Sequence, residues 1–147
     1  MALMSVPTLT PTLKPFREAL AFHRSRVPMT PAQFAELSNE AKLRAFTVSG
    51  LARQASVVEA YRLAEEAQTT GMTMQQFRER LTSYLLKNDG ALLADSRIDL
   101  IFRQAITTAR SVGRYEQMTA PEVLAARPYW MYSLGPDDDR TTPVCER

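Results

Sequence analysis

The sequence predicts a mainly α fold, about five helices in an irregular bundle with a short C-terminal β element. Three observations carry that expectation. Two segments open with the reciprocal cap pattern of a helix start, at Thr30-Pro31-Ala32-Gln33 and Thr73-Met74-Gln75-Gln76. Several stretches repeat apolar residues every three or four positions. Strand composition is confined to the end of the chain, and strands do not alternate with helices as a doubly wound sheet requires.

Residues 1–15 hold Pro7, Pro11 and Pro15 spaced by threonine and leucine, which denies the backbone a continuous hydrogen-bond ladder and predicts an extended arm. From Phe16 to Arg26 the residues Phe16, Leu20 and, at the edge, His23 fall on one helical face, and Pro28 ends the segment. After the first cap, Phe34, Leu37, Ala41, Ala45 and Val48 make a stripe that predicts a single helix running to about Thr47, broken by Ser49-Gly50. The next segment places Val57, Val58, Tyr61 and Ala64 along one side and closes on Gly71, suited to a left-handed cap. Its alanines at 60, 64 and 67 permit close approach by a neighbouring helix.

Behind the second cap, Met74, Phe77, Leu81, Tyr84 and Leu85 form the cleanest stripe in the chain, and Asn88-Asp89-Gly90 reads as a turn. Asp95 or Ser96 then caps a long helix with the apolar face Ile98, Phe102, Ala105, Ala109 and Val112. Its other side carries Arg103, Arg110 and Arg114, with Asp99 spaced to pair with Arg103 at i,i+4. A short helix from Thr119-Ala120-Pro121-Glu122 stops near Arg127-Pro128. Beyond it, Tyr129, Trp130, Met131, Tyr132 and Leu134 have strand composition, and Gly135-Pro136-Asp137 is turn chemistry. The expected organisation is an arm at 1–15, a helical domain at 16–127 and an aromatic strand with a polar turn at 128–147.

At 147 residues, 45% hydrophobic and 23% charged, the chain has the bulk and balance of one globular domain. The net charge of +2 is unevenly placed. Lys14, Arg17, Arg24 and Arg26 face only Glu18 near the start, whereas Asp137, Asp138, Asp139 and Glu146 outnumber Arg140 and Arg147 at the end. That layout suits charged partners but lacks the basic stripe of a dedicated nucleic-acid binder. A single cysteine excludes an internal disulfide, and neither a membrane span nor a secretion signal is visible, so the expected setting is cytosolic with no membrane partner.

Candidate chemistry collects in the tail without assembling. Cys145 lacks the base or the further ligands that a nucleophile or a zinc site needs, since His23, far away in sequence, is the only histidine. The run Asp137 to Asp139 lacks the alternating oxygens and closing glutamate of a calcium loop and reads as a solvated turn. Nucleotide-binding, zinc-protease and hydrolase signatures are absent, so neither a catalytic residue, a metal nor a cofactor is expected. Arg103, Arg110 and Arg114 are candidate nucleic-acid contacts, against the simpler reading of a solvated helix face.

Four segments in order resemble the phage head morphogenesis family, the Mu F-like minor head proteins. They are FHRSRVPMTPAQFAELSNEAKLRAFTVSG at 22–50, GMTMQQFRERL at 71–81, IDLIFRQAITTARSVGRYEQM at 98–118 and RPYWMYSLGPDDDRTTP at 127–143. The resemblance implies a non-enzymatic minor capsid component of the virion, assembled in the host cytoplasm, which associates with the portal protein, the major capsid protein or both, with phage DNA and further copies of itself as open alternatives. It implies a role in head assembly and in DNA packaging or delivery. The family pattern continues for several dozen residues past the aspartate-arginine-threonine turn, whereas this sequence stops at Arg147, so a shortened member, a fragment, or an end completed by a neighbouring subunit is expected. Tyr129, Trp130 and Tyr132, flanked by Arg127 and Arg140, are the expected protein-interface residues, because aromatics dominate binding hot spots. Two other classes remain open: a DNA-contacting module using the arginine face, and the remnant of a metal-dependent enzyme around Asp137 to Asp139, Arg140 and Cys145.

Overall fold

Helix dominates, as the patterning predicts. The computed structural model describes residues 15–90 and 92–129, and about 70% of these are helical, in seven helices with one short parallel two-stranded sheet. In chain order the elements are α1 (Arg17–Ser25), β1 (Val27–Pro28), α2 (Pro31–Ala35), α3 (Asn39–Lys42), β2 (Ala45–Phe46), α4 (Gln54–Thr70), α5 (Met74–Asn88), α6 (Asp95–Met118) and α7 (Pro121–Ala126). They fall in two compact units that divide between Glu116 and Gln117.

Both capping boxes form. The Thr30 hydroxyl accepts from the Gln33 N–H while the Gln33 side chain accepts from the Thr30 N–H, and Thr73 and Gln76 do the same. Each box satisfies two backbone donors that a helix start otherwise leaves unpaired. At its far end α4 stops on Gly71, whose φ of 74° is open to glycine at no steric cost and aims its N–H at the Ala67 carbonyl.

In the first unit α4 lies against α5, α1 and β1. Its alanines make this possible: Ala60 and Ala64 are 0% exposed, alongside Val57 and Leu63. From α5 come Phe77, Leu81 and Leu85, all fully buried, and from α6 come Ile98, Ile101 and Ala105. Each buried leucine or phenylalanine contributes roughly 1.5–3 kcal/mol of transfer free energy, so this one cluster supplies much of the drive to fold. Phe77 meets Phe102 with ring centroids 5.3 Å apart, joining α5 to α6. Val58 departs from the predicted stripe and is 41% exposed, because Leu63 rather than Val58 shares the inner face with Val57 and Ala60.

Two further expectations are corrected. The single helix expected from Thr30 to about Thr47 is two short helices and a strand: Ser38 interrupts it by accepting from the Ala41 N–H, which starts α3, and the chain extends after Arg44. Ala45 and Phe46 then pair in parallel register with Val27 and Pro28. The sheet suits a proline, since Val27 N–H donates to the Arg44 carbonyl at 2.8 Å and Met29 N–H to the Phe46 carbonyl at 2.9 Å, leaving position 28 with no ladder donor to supply. Asp99 does not pair with Arg103; its carboxylate is held by Arg78 of α5, with Nε at 3.0 Å and Nη2 at 2.6 Å. The β structure described lies early in the chain; the β element expected at 128–147 lies outside the described residues beyond Tyr129, and Pro128 and Tyr129 carry no regular structure.

Candidate functional site

Of the residues expected to form an interface, Arg127 closes α7 by donating its N–H to the Val123 carbonyl at 2.7 Å, and its side chain is exposed. Tyr129 is 91% exposed. In the same unit Met118, Val123 and Leu124 also leave much of their apolar surface in solvent. Trp130, Tyr132, Arg140, the aspartates 137 to 139 and Cys145 lie outside the described residues.

Arg103, Arg110 and Arg114 project from α6, and all three are exposed. At 100° per residue they fall within an arc of roughly 40°. With Asp99 committed to Arg78, they have no carboxylate within ion-pair distance among the described residues. Several other arginines are matched: Arg62 reaches Glu59 and Glu66, Arg80 reaches Glu66, and Arg24 reaches Glu65 at 2.7 Å.

A cluster that the sequence did not announce gathers where α1 and β2 meet α4. His23 is 0% exposed and stacks on Tyr61 with centroids 4.4 Å apart and planes 16° apart. Its Nε2–H donates to the Tyr61 carbonyl at 3.1 Å, and the Tyr61 hydroxyl donates back to the His23 carbonyl at 3.0 Å. That tautomer leaves Nδ1 as a buried acceptor with no partner. Burial pushes the imidazole below its ordinary value, and nearby Arg26 and Arg24 add to this, while the Tyr61 carbonyl and Glu65 pull the other way.

Arg26 continues this cluster. Its Nε and Nη2 both donate to the Ala45 carbonyl, at 3.0 and 2.7 Å, and its guanidinium lies 5.1 Å from the Phe46 ring centroid and 5.8 Å from that of Phe22. Burial lowers its pKa. Beside it, between the 46–49 segment and one face of α6, is a partly enclosed cavity of about 220 Å³ bordered by Arg26, Thr47, Ser49, Arg97, Gln104 and Thr108. Periodicity pointed to the core face of α6 but not to this one, because Arg97, Gln104 and Thr108 are unremarkable polar positions until β2 is set beside them.

Among the described residues no group of three histidine, cysteine, aspartate or glutamate side chains is placed to hold a metal, and no helix is long and apolar enough to cross a membrane. Compared with protein families, curated proteins and solved structures, the chain matches none.

Proposed function

We propose that this chain is a minor head protein of a tailed phage, a non-catalytic component that binds portal or capsid subunits during head assembly and DNA packaging or delivery. The observation that carries the reading is the ordered set of four segments, at 22–50, 71–81, 98–118 and 127–143, that resemble the head morphogenesis family. The exposed apolar side chains of Met118, Val123, Leu124 and Tyr129 support it, since an aromatic run that follows apolar surface left in water suits burial against another chain. In the mechanism, Tyr129, Trp130 and Tyr132 are the anchors and Arg127 and Arg140 flank them at a polar rim.

The test is co-purification with the portal protein from phage-infected cells. Trp130→Ala is expected to weaken capture by about thirtyfold or more, the cost of losing a hot-spot aromatic. Undiminished capture by both Trp130→Ala and Tyr129→Ala chains that retain wild-type helix content would overturn the interface. A second reading, contact with DNA phosphates through α6, is favoured by the exposed arginines at 103, 110 and 114, which lack carboxylate partners among the described residues. It requires binding that falls steeply with salt, with a shallower slope when the three become glutamine. Absence of retention on duplex DNA at low salt removes it.

A further inference from the structure

The cavity between the 46–49 segment and α6 has the composition of an anion site. Arg26 and Arg97 border it, and no aspartate or glutamate does. Elsewhere in the first unit Arg24, Arg53, Arg62, Arg78 and Arg80 reach carboxylates. Arg26 and Arg97 reach carbonyl oxygens only, Ala45 in one case and Ser49 at 3.3 Å in the other. Each therefore keeps guanidinium N–H donors with no protein acceptor among the described residues. For Arg26 this matters energetically, because a cation drawn out of water without an opposite charge is costly and its two aromatic faces and one carbonyl offset only part of that. Thr47 borders the same space, while its Oγ1 is itself buried with no hydrogen-bond partner. The exposed Gln104 and Thr108, which also border it, supply hydrogen-bond donors. At about 220 Å³ the space takes several water-sized groups, enough for a tetrahedral anion or a short dicarboxylate.

We infer that this cavity binds a small, doubly charged oxyanion, held between the guanidinium groups of Arg26 and Arg97 and hydrogen-bonded by Gln104 and Thr108. Arginine suits the task because its planar fork meets two oxygens at once. The site lies wholly within the first unit and does not depend on the phage reading.

The experiment is an amide NMR titration of the full chain at low ionic strength, with inorganic phosphate in one arm, succinate in a second and sodium chloride of equal ionic strength in a third. Saturable shifts are expected at residues 47–49 and 97–108 in the phosphate or succinate arm and not in the chloride arm; the stronger of the two identifies phosphoryl or dicarboxylate chemistry. Arg97→Gln is expected to weaken binding at least about tenfold, the worth of a charge-assisted hydrogen bond, while Lys87→Gln, exposed on α5 and away from the cavity, leaves it unchanged. Because Arg97 also ties down Ser49, Thr108→Glu serves as a second variant: it sits at an exposed position, places a competing carboxylate at the mouth, and is expected to abolish the titration. Shifts that follow ionic strength alone in all three arms, or wild-type titration by both Arg97→Gln and Thr108→Glu, would overturn the site.

Discussion

Gly113 is the position where a single methyl group tests the packing most directly. It lies inside α6, where replacing glycine by alanine in an exposed helix stabilises by about 1 kcal/mol. Here a Cβ would meet the backbone of α1, 2.6 Å from the Ala19 nitrogen, 3.0 Å from its Cα and 3.1 Å from the Glu18 carbonyl carbon. Ordinary contact needs about 3.5 Å, so the two helices must separate by nearly 1 Å, and no flexible side chain can absorb the overlap. Overpacking of this kind costs about 3 kcal/mol at the upper end of its usual range. Set against the propensity gain, Gly113→Ala is expected to destabilise by about 2 kcal/mol. With a urea slope of about 2 kcal/mol per molar, that is a midpoint lowered by about 1 M. Urea unfolding followed by circular dichroism reads the shift directly, with Thr107→Ala as an exposed control on the same helix. A Gly113→Ala chain as stable as wild type, or more so, would refute the close approach of α1 to α6.

Two further predictions concern charge. The His23 imidazole is held below its ordinary value of 6.5, chiefly by burial, so on acidification the unfolded chain takes up this proton before the folded one. Its contribution to stability is therefore complete above the unfolded pKa and declines as pH falls through that value towards the folded one, at no more than about 1.4 kcal/mol per pH unit. Urea midpoints at pH 7.5 and 5.5 for wild type and His23→Phe separate this from carboxylate titration; an identical pH difference in the two chains removes histidine as the cause. Asp99 is expected to couple to Arg78 and not to Arg103, so a double-mutant cycle with Asp99→Asn should give a clear interaction energy with Arg78→Ala and none with Arg103→Ala. Coupling to Arg103 of the same size would restore the i,i+4 pair that the sequence spacing suggests.

What was legible in the sequence was whatever is encoded within a turn or two of helix. Thr30 with Gln33 and Thr73 with Gln76 hold both partners of a cap within three residues, so the pattern and the hydrogen bonds coincide. Gly71 and the stripe Phe77, Leu81, Leu85 are similarly local. The stretch from Phe34 to Val48 misled because its helical spacing was real but short of a helix. Ser38 competes as a cap within it, and Phe46-Thr47-Val48, an aromatic between extended neighbours and two β-branched residues, is better suited to a strand once Val27 and Pro28 are available to pair. That partner lies 18 residues earlier and leaves no trace in periodicity. The same limit governs charge. Asp99 reads as a partner for Arg103 because proximity in sequence is visible, yet Arg78, 21 residues away, offers a fork that meets both carboxylate oxygens, and the packing of α5 on α6 sets that choice. Arg26 and Arg97 follow from this logic in reverse: each is an ordinary basic residue in the sequence, and their lack of counter-charge appears only when β2 brings one beside the helix that carries the other. Local code thus places the helices, while a two-residue parallel pairing, too short to read in advance, creates both the main departure from the expected fold and the cavity with unmatched positive charge.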